Sequence, residues 1–175
     1  AGETGLKQNV CTWTRRINWR GPVDGPDAGT LEETAEGLVE TGVFAEYDEL
    51  WTLETPGPAQ ARRLSGPGGR LAVVVRAGDR FALGRGAPEA MAGPPLAERL
   101  ETALAARHRG ALERLFDMEF CWGRLAEAGP VIARSTLPGR AGDLAWRGDP
   151  FGGGEVSLPI RGWDGSAREE VWRAA

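Results

Sequence analysis

In 175 residues the chain has one lysine, one histidine, one tyrosine, two cysteines and two methionines. Each scarcity excludes something. With only His108, two dispersed cysteines and no ExxH or DxD spacing, the chain offers no set of metal ligands. Cys11 and Cys121 fit no CxxC pattern and both fall in expected strands, so they read as small buried hydrophobes. They would pair only if their strands were neighbours. No apolar run approaches the length of a membrane-spanning helix, and no charged segment followed by an apolar one marks a signal peptide. The expectation is a cytoplasmic protein without membrane insertion.

Basic runs are also missing. The net charge is −4 with a pI near 5.2, and arginine pairs occur only at 15–16 and 62–63. Nucleic acid is therefore not an expected partner. The 20 arginines against the single Lys7 look like codon bias. Arg, Ala, Gly and Pro all have GC-rich codons, which points to a bacterial genome of high GC content. No GxSxG elbow or strand–GxGxxG–helix unit is present, and the triple glycine at 152–154 lacks a Walker lysine. No cofactor is expected. His108, flanked by Arg107 and Arg109, reads as a solvent-exposed residue.

What is present is short-period alternation. In 10–20, Cys11, Trp13, Ile17 and Trp19 share a strand face with Arg15. In 47–54, Tyr47, Glu49, Trp51 and Leu53 do the same. A charge on an apolar strand face costs several kcal/mol, on the order of 2–7, unless it is paired, hydrated or used. Arg15 and Glu49, of opposite sign, suggest a β-barrel with a partly polar interior and a mutual ion pair. A slip of one residue would instead turn Arg16 and Asp48 or Glu46 inward.

The rest of the pattern is largely β. Residues 1–9 read as a flexible leader and 10–175 as one domain. TLEET and LVETG flank a turn at Ala35–Gly37; 62–64 form a short edge strand; 70–76 and 80–85 form a hairpin. Strands follow at 117–124 and 130–138, then at DLAWR and EVSLPIR, and GWDGSAREEVWR is a tail. The total is about eight to ten strands. Leu96, Leu100, Leu104, Leu112 and Leu115 predict a helical insertion over 94–116, continuous and kinked or split at Gly110. The acidic residues Glu32, Glu33, Glu36, Glu40 and Glu46 read as a solvated hairpin face.

The Trp-bearing strand, the DAGTLEE loop, LVETG, YDELW and VVVRAGDRFALGRG together resemble, over residues 12–86, the Hri1-like family of small β-barrels. Those proteins are related to the lipocalin/calycin folds. The resemblance implies an antiparallel calycin-like barrel and carries no catalytic residues. In such a barrel Trp13, Trp51, Phe81, Phe120 and Trp122 would hold a small, largely apolar or amphipathic molecule, with Trp19 and Tyr47 on the same strand faces. Arg15 and Glu49 would anchor its polar end. The alternatives are a cofactor-free cyclase or isomerase of natural-product metabolism, with Arg15 and Glu49 catalytic, and a scaffold that binds nothing. A homo-oligomer is compatible with each.

Overall fold

The structure, a computed structural model, describes residues 1–18, 25–55, 57–87, 93–162 and 164–175. Among these, strands form two antiparallel sheets, one of which curls into a half-barrel. The first sheet is a meander in chain order: β1 (Gly2–Lys7), β2 (Val10–Arg15), β3 (Asp27–Glu33), β4 (Leu38–Gly42) and β5 (Asp48–Trp51). Its turns are local products of the sequence. The β3–β4 turn closes through Thr34, whose hydroxyl donates to the Gly37 carbonyl at 2.9 Å and accepts from the Glu36 amide. Gly37 sits at a φ of 149°, where a side chain is rarely tolerated.

The second sheet contains β6 (Ala59–Ser65), β7 (Leu71–Ala77), β8 (Arg80–Gly86), β9 (Glu119–Ala126), β10 (Gly129–Ser135), β11 (Glu155–Arg161) and β12 (Ala167–Ala174). Its order is β10-β9-β8-β7-β6-β12-β11. A core of Leu64, Val74, Leu158, Ile160, Trp146 and Trp172 is almost wholly withdrawn from water. Each large side chain buried there contributes about 1.5–3 kcal/mol. Phe81 meets Trp146 edge-on, with centroids 4.7 Å apart and planes at 74°, the arrangement favoured by ring quadrupoles.

Several expectations change. Residues 2–7, read as part of a leader, form β1 and pair along their length with β2. The 62–64 segment belongs to β6, an interior strand between β7 and β12. The C-terminal tail becomes β12, because Trp172 alternates with exposed neighbours and fills the core. DLAWR contributes only isolated bridges, at Leu144 and Arg147. The described residues hold 12 strands, more than the eight to ten expected. Among the described residues no ladder joins β5 to β1 or links the two sheets, which stand as a pair of antiparallel sheets.

Two helices separate β8 from β9: α1 (Leu96–Ala105) and α2 (Arg109–Phe116). The break precedes Gly110. Arg107 adopts a left-handed φ of 50°, and His108, exposed as expected, caps α2 by accepting the Ala111 amide on Nδ1 at 3.0 Å. A side chain that satisfies an orphan N–H decides where a helix restarts.

The sheets meet at a small seam. Ile17 and Met118 are buried there against Leu71 and Phe120, and Glu3 pairs with Arg63 of β6 at 2.6 Å. Glycines on β8 permit the approach: a Cβ on Gly86 would lie 2.9 Å from Ile17 Cγ2.

Candidate functional site

Strand register assembles one face of the first sheet. Thr4 lies opposite Trp13, and Gly2 opposite Arg15. Trp13 lies opposite Asp27, Glu40 opposite Glu49, and Leu38 opposite Trp51. Because side chains alternate along each strand, these residues share a surface. With Phe120 and Thr136 from the second sheet, that surface encloses an open cavity of about 790 Å³. The volume is within the range of small-molecule sites, about 300–1,000 Å³.

Polar groups are concentrated in it. Arg15 Nη2 donates to Asp27 Oδ2 at 2.5 Å. The Tyr47 hydroxyl donates to Glu40 Oε1, also at 2.5 Å. That bond, with lesser contributions from burial and from Glu40, Asp27 and Glu49, pushes the phenol up to about 12. Glu40 is 3% exposed, whereas Glu49 is exposed. Cys11 is buried nearby and its thiol is raised by desolvation, then by the Glu40 charge.

The structure brings together Arg15, Glu49, Trp13, Tyr47, Trp51 and Phe120 of the expected residues. It does not pair Arg15 with Glu49. Their strands are separated by β3 and β4, a span of about 14 Å at ~4.8 Å per strand, and Asp27 on the adjacent strand takes the guanidinium. Trp19 lies outside the described residues.

Phe81 and Trp122 are elsewhere, which corrects their expected place in the pocket. Phe81 is 4% exposed in the core of the second sheet. Trp122 is 50% exposed, with the Arg134 guanidinium 5.9 Å from its ring centroid. On β9 the inward face carries Glu119 and Cys121 instead of Trp122. That inversion is tolerated because Glu119 is neutralised inside: it accepts from Arg140 Nε and Ser135 Oγ, each at 2.8 Å, and from Arg85 Nε at 3.3 Å.

The buried arginines continue outward. Arg85 reaches Asp117 at 3.1 Å and Arg140 reaches Asp143 at 2.8 Å. Arg70 bridges Asp117 and Glu170 at 2.9 and 2.6 Å. A cleft of about 390 Å³ beside α2 is lined by Asp117, Arg168 and Asp164. All three are already engaged in ion pairs, Arg168 with Asp117 and Asp164 with Arg109. This network braces the second sheet and leaves the first-sheet cavity as the candidate site.

Asp27 and Glu40 were missed in the sequence. Asp27 follows two prolines and two glycines (21–26) that read as loop, yet it opens β3. In sequence Glu40 reads as part of the solvated acidic cluster, yet it is buried. The usable signal is alternation, which sets Glu40 on one strand face with Leu38 and Gly42; the β4–β5 register then puts it opposite Glu49. Among the described residues no group of His, Cys, Asp and Glu has metal-site geometry, and no helix is long and apolar enough to cross a membrane. Comparison of the chain with protein-family models, curated proteins and solved structures finds no match.

Proposed function

We propose that the first-sheet cavity binds a small organic molecule with a flat apolar body and one polar end. The observation that carries this reading is the convergence of Trp13 and Trp51 with Arg15, Glu40, Tyr47 and Glu49 on one concave face. Apolar walls with a few fixed polar groups are the usual composition of a ligand site. The Hri1-like resemblance belongs to the same proposal, with the curled strands serving as a calycin-like cup. Titration of a panel of neutral aromatic compounds against intrinsic tryptophan fluorescence tests it. Saturable quenching that Trp51→Leu diminishes supports the reading; no response to any member of the panel replaces it with a scaffold role.

A cofactor-free cyclase or isomerase is the second reading, favoured by the Tyr47–Glu40 hydrogen bond inside the cavity. A phenol and a carboxylate in contact can exchange a proton with a bound substrate. The raised phenol weakens Tyr47 as an acid near neutrality, so binding is the preferred reading. Conversion of any bound panel member to a product, lost in Tyr47→Phe and Glu40→Gln while binding persists, would reverse that preference.

A further inference from the structure

The charge in the cavity is unevenly matched. Its lining carries four carboxylates, Glu3, Asp27, Glu40 and Glu49, against two cationic groups, the Arg15 guanidinium and the Ala1 ammonium, which donates to the Ile17 carbonyl at 2.7 Å. Arg15 is taken by Asp27. Glu3 pairs with Arg16 and Arg63 at 3.1 and 2.6 Å. Glu40 and Glu49 remain without a cationic partner among the described residues.

Their placement is costly. Glu40 and Glu49 are direct cross-strand partners, and like charges directly opposite destabilise a sheet. Glu40 is also 3% exposed, and among the described residues its hydrogen-bond donor is the neutral Tyr47 hydroxyl. A carboxylate withdrawn from water without a counter-charge is disfavoured. On the outward face the neighbouring cross-strand pair, Thr41 and Asp48, instead makes an ordinary hydrogen bond at 2.7 Å.

The aromatic walls point the same way. A tryptophan face is the strongest side-chain partner for a cation. Among the described residues, arginines lie over Trp172, Phe151 and Trp122, and none lies over Trp13 or Trp51. An indole on β2 and another on β5 thus face a cavity whose unmatched charge is negative.

We infer that the ligand is an organic cation, a protonated or quaternary amine. Its charge sits against Glu40 and Glu49 and its body lies between Trp13 and Trp51. This rests on the binding function proposed above and names the chemistry of what is bound. An anionic ligand would meet the two free carboxylates and an arginine already neutralised by Asp27. A wholly neutral ligand would leave Glu40 and Glu49 opposed. The cation removes both costs, since each carboxylate gains a partner and the pair gains a charge between them.

The test compares two isosteric probes, benzyltrimethylammonium and neopentylbenzene, by tryptophan quenching and calorimetry at low salt. The expected result is at least tenfold tighter binding of the cation, weakened by added salt. Glu49→Gln and Glu40→Gln should each lower cation affinity about five- to twentyfold and leave the neutral probe unaffected. Glu49 is exposed, so its variant keeps the test valid if Glu40→Gln perturbs folding. Equal or tighter binding of neopentylbenzene overturns the cation assignment and leaves the cavity a binding site. So does cation affinity unchanged in both variants. If neither probe binds and the neutral panel is also silent, the binding reading falls as well.

Discussion

Glu40 occupies the space that Gly29 leaves: a Cβ on Gly29 would lie 2.4 Å from Glu40 Cγ and 2.5 Å from Oε1. The two residues sit on adjacent strands, β3 and β4, with Gly29 opposite Gly42 and Glu40 opposite Leu31. A missing side chain on one strand therefore gives the neighbouring carboxylate its berth in the cavity floor.

Gly29→Ala should displace Glu40. Overpacking of this kind costs about 1–3 kcal/mol, readable as a lower urea midpoint with an unchanged denaturant slope. The same variant should also lose the Tyr47–Glu40 contact.

Tyr47 is the only tyrosine in the chain, so its ionisation can be followed alone by phenolate absorbance. The midpoint should lie at about 12, raised first by the hydrogen bond to Glu40. Glu40→Gln should bring it down toward the ordinary value of 10.0. A folded pKa above the unfolded one stabilises the protein below the unfolded value. That contribution is lost as pH climbs from about 10 to about 12. A midpoint that Glu40→Gln does not move would show that the bond does not persist in solution.

Glu119, fully buried between Arg85 and Arg140, should be the most sensitive charge in the molecule. Glu119→Gln leaves two guanidinium groups short of a counter-charge, and breaking a buried pair costs about 3–5 kcal/mol. Arg173→Gln, which removes an exposed pair with Glu155, should cost about 0–1 kcal/mol. Chemical denaturation of both variants separates the two cases.

Acid should destabilise the fold through Asp143 and Glu170. Burial alone would raise each, but Arg161 and Arg140 hold Asp143 below its usual 3.8, and Arg70 and Arg168 hold Glu170 below its usual 4.5. Depressed pKa values contribute stability that is present above the unfolded values and lost as pH falls through the folded ones. The thermal midpoint should therefore drop as pH is lowered beneath that range. Arg161→Gln should flatten the Asp143 share of that drop.

Neither cysteine should react with a disulfide reagent at pH 8 while the protein is folded. Both are free and buried, and burial, then Glu119, pushes Cys121 up to about 12. The thiolate is the reactive form, so both thiols should appear only on denaturation.

Alternation alone places Cys11, Trp13 and Arg15 on one face and Tyr47, Glu49 and Trp51 on another, because a pleated strand turns successive side chains to opposite sides. Local chemistry likewise determines the Thr34–Gly37 turn, the hairpin of β7 and β8, and the helical stretch between 94 and 116, whose division into two helices the structure decides. These features depend on neighbours in sequence. Which faces meet does not. Pairing β3 beside β2 gives Arg15 to Asp27, pairing β4 with β5 sets Glu40 against Glu49, and pairing β12 beside β6 turns an apparent tail into core. Only the tertiary structure puts Phe81 and Trp122 outside the cavity, because Arg85 and Arg140 neutralise Glu119 within the second sheet and free β9 to turn Trp122 to solvent. Long-range pairing decides whether a charge on an apolar face meets a counter-charge. The sequence shows that such charges exist, and the fold shows that, among the described residues lining the cavity, Asp27 and Glu3 have ion-pair partners and Glu40 and Glu49 do not.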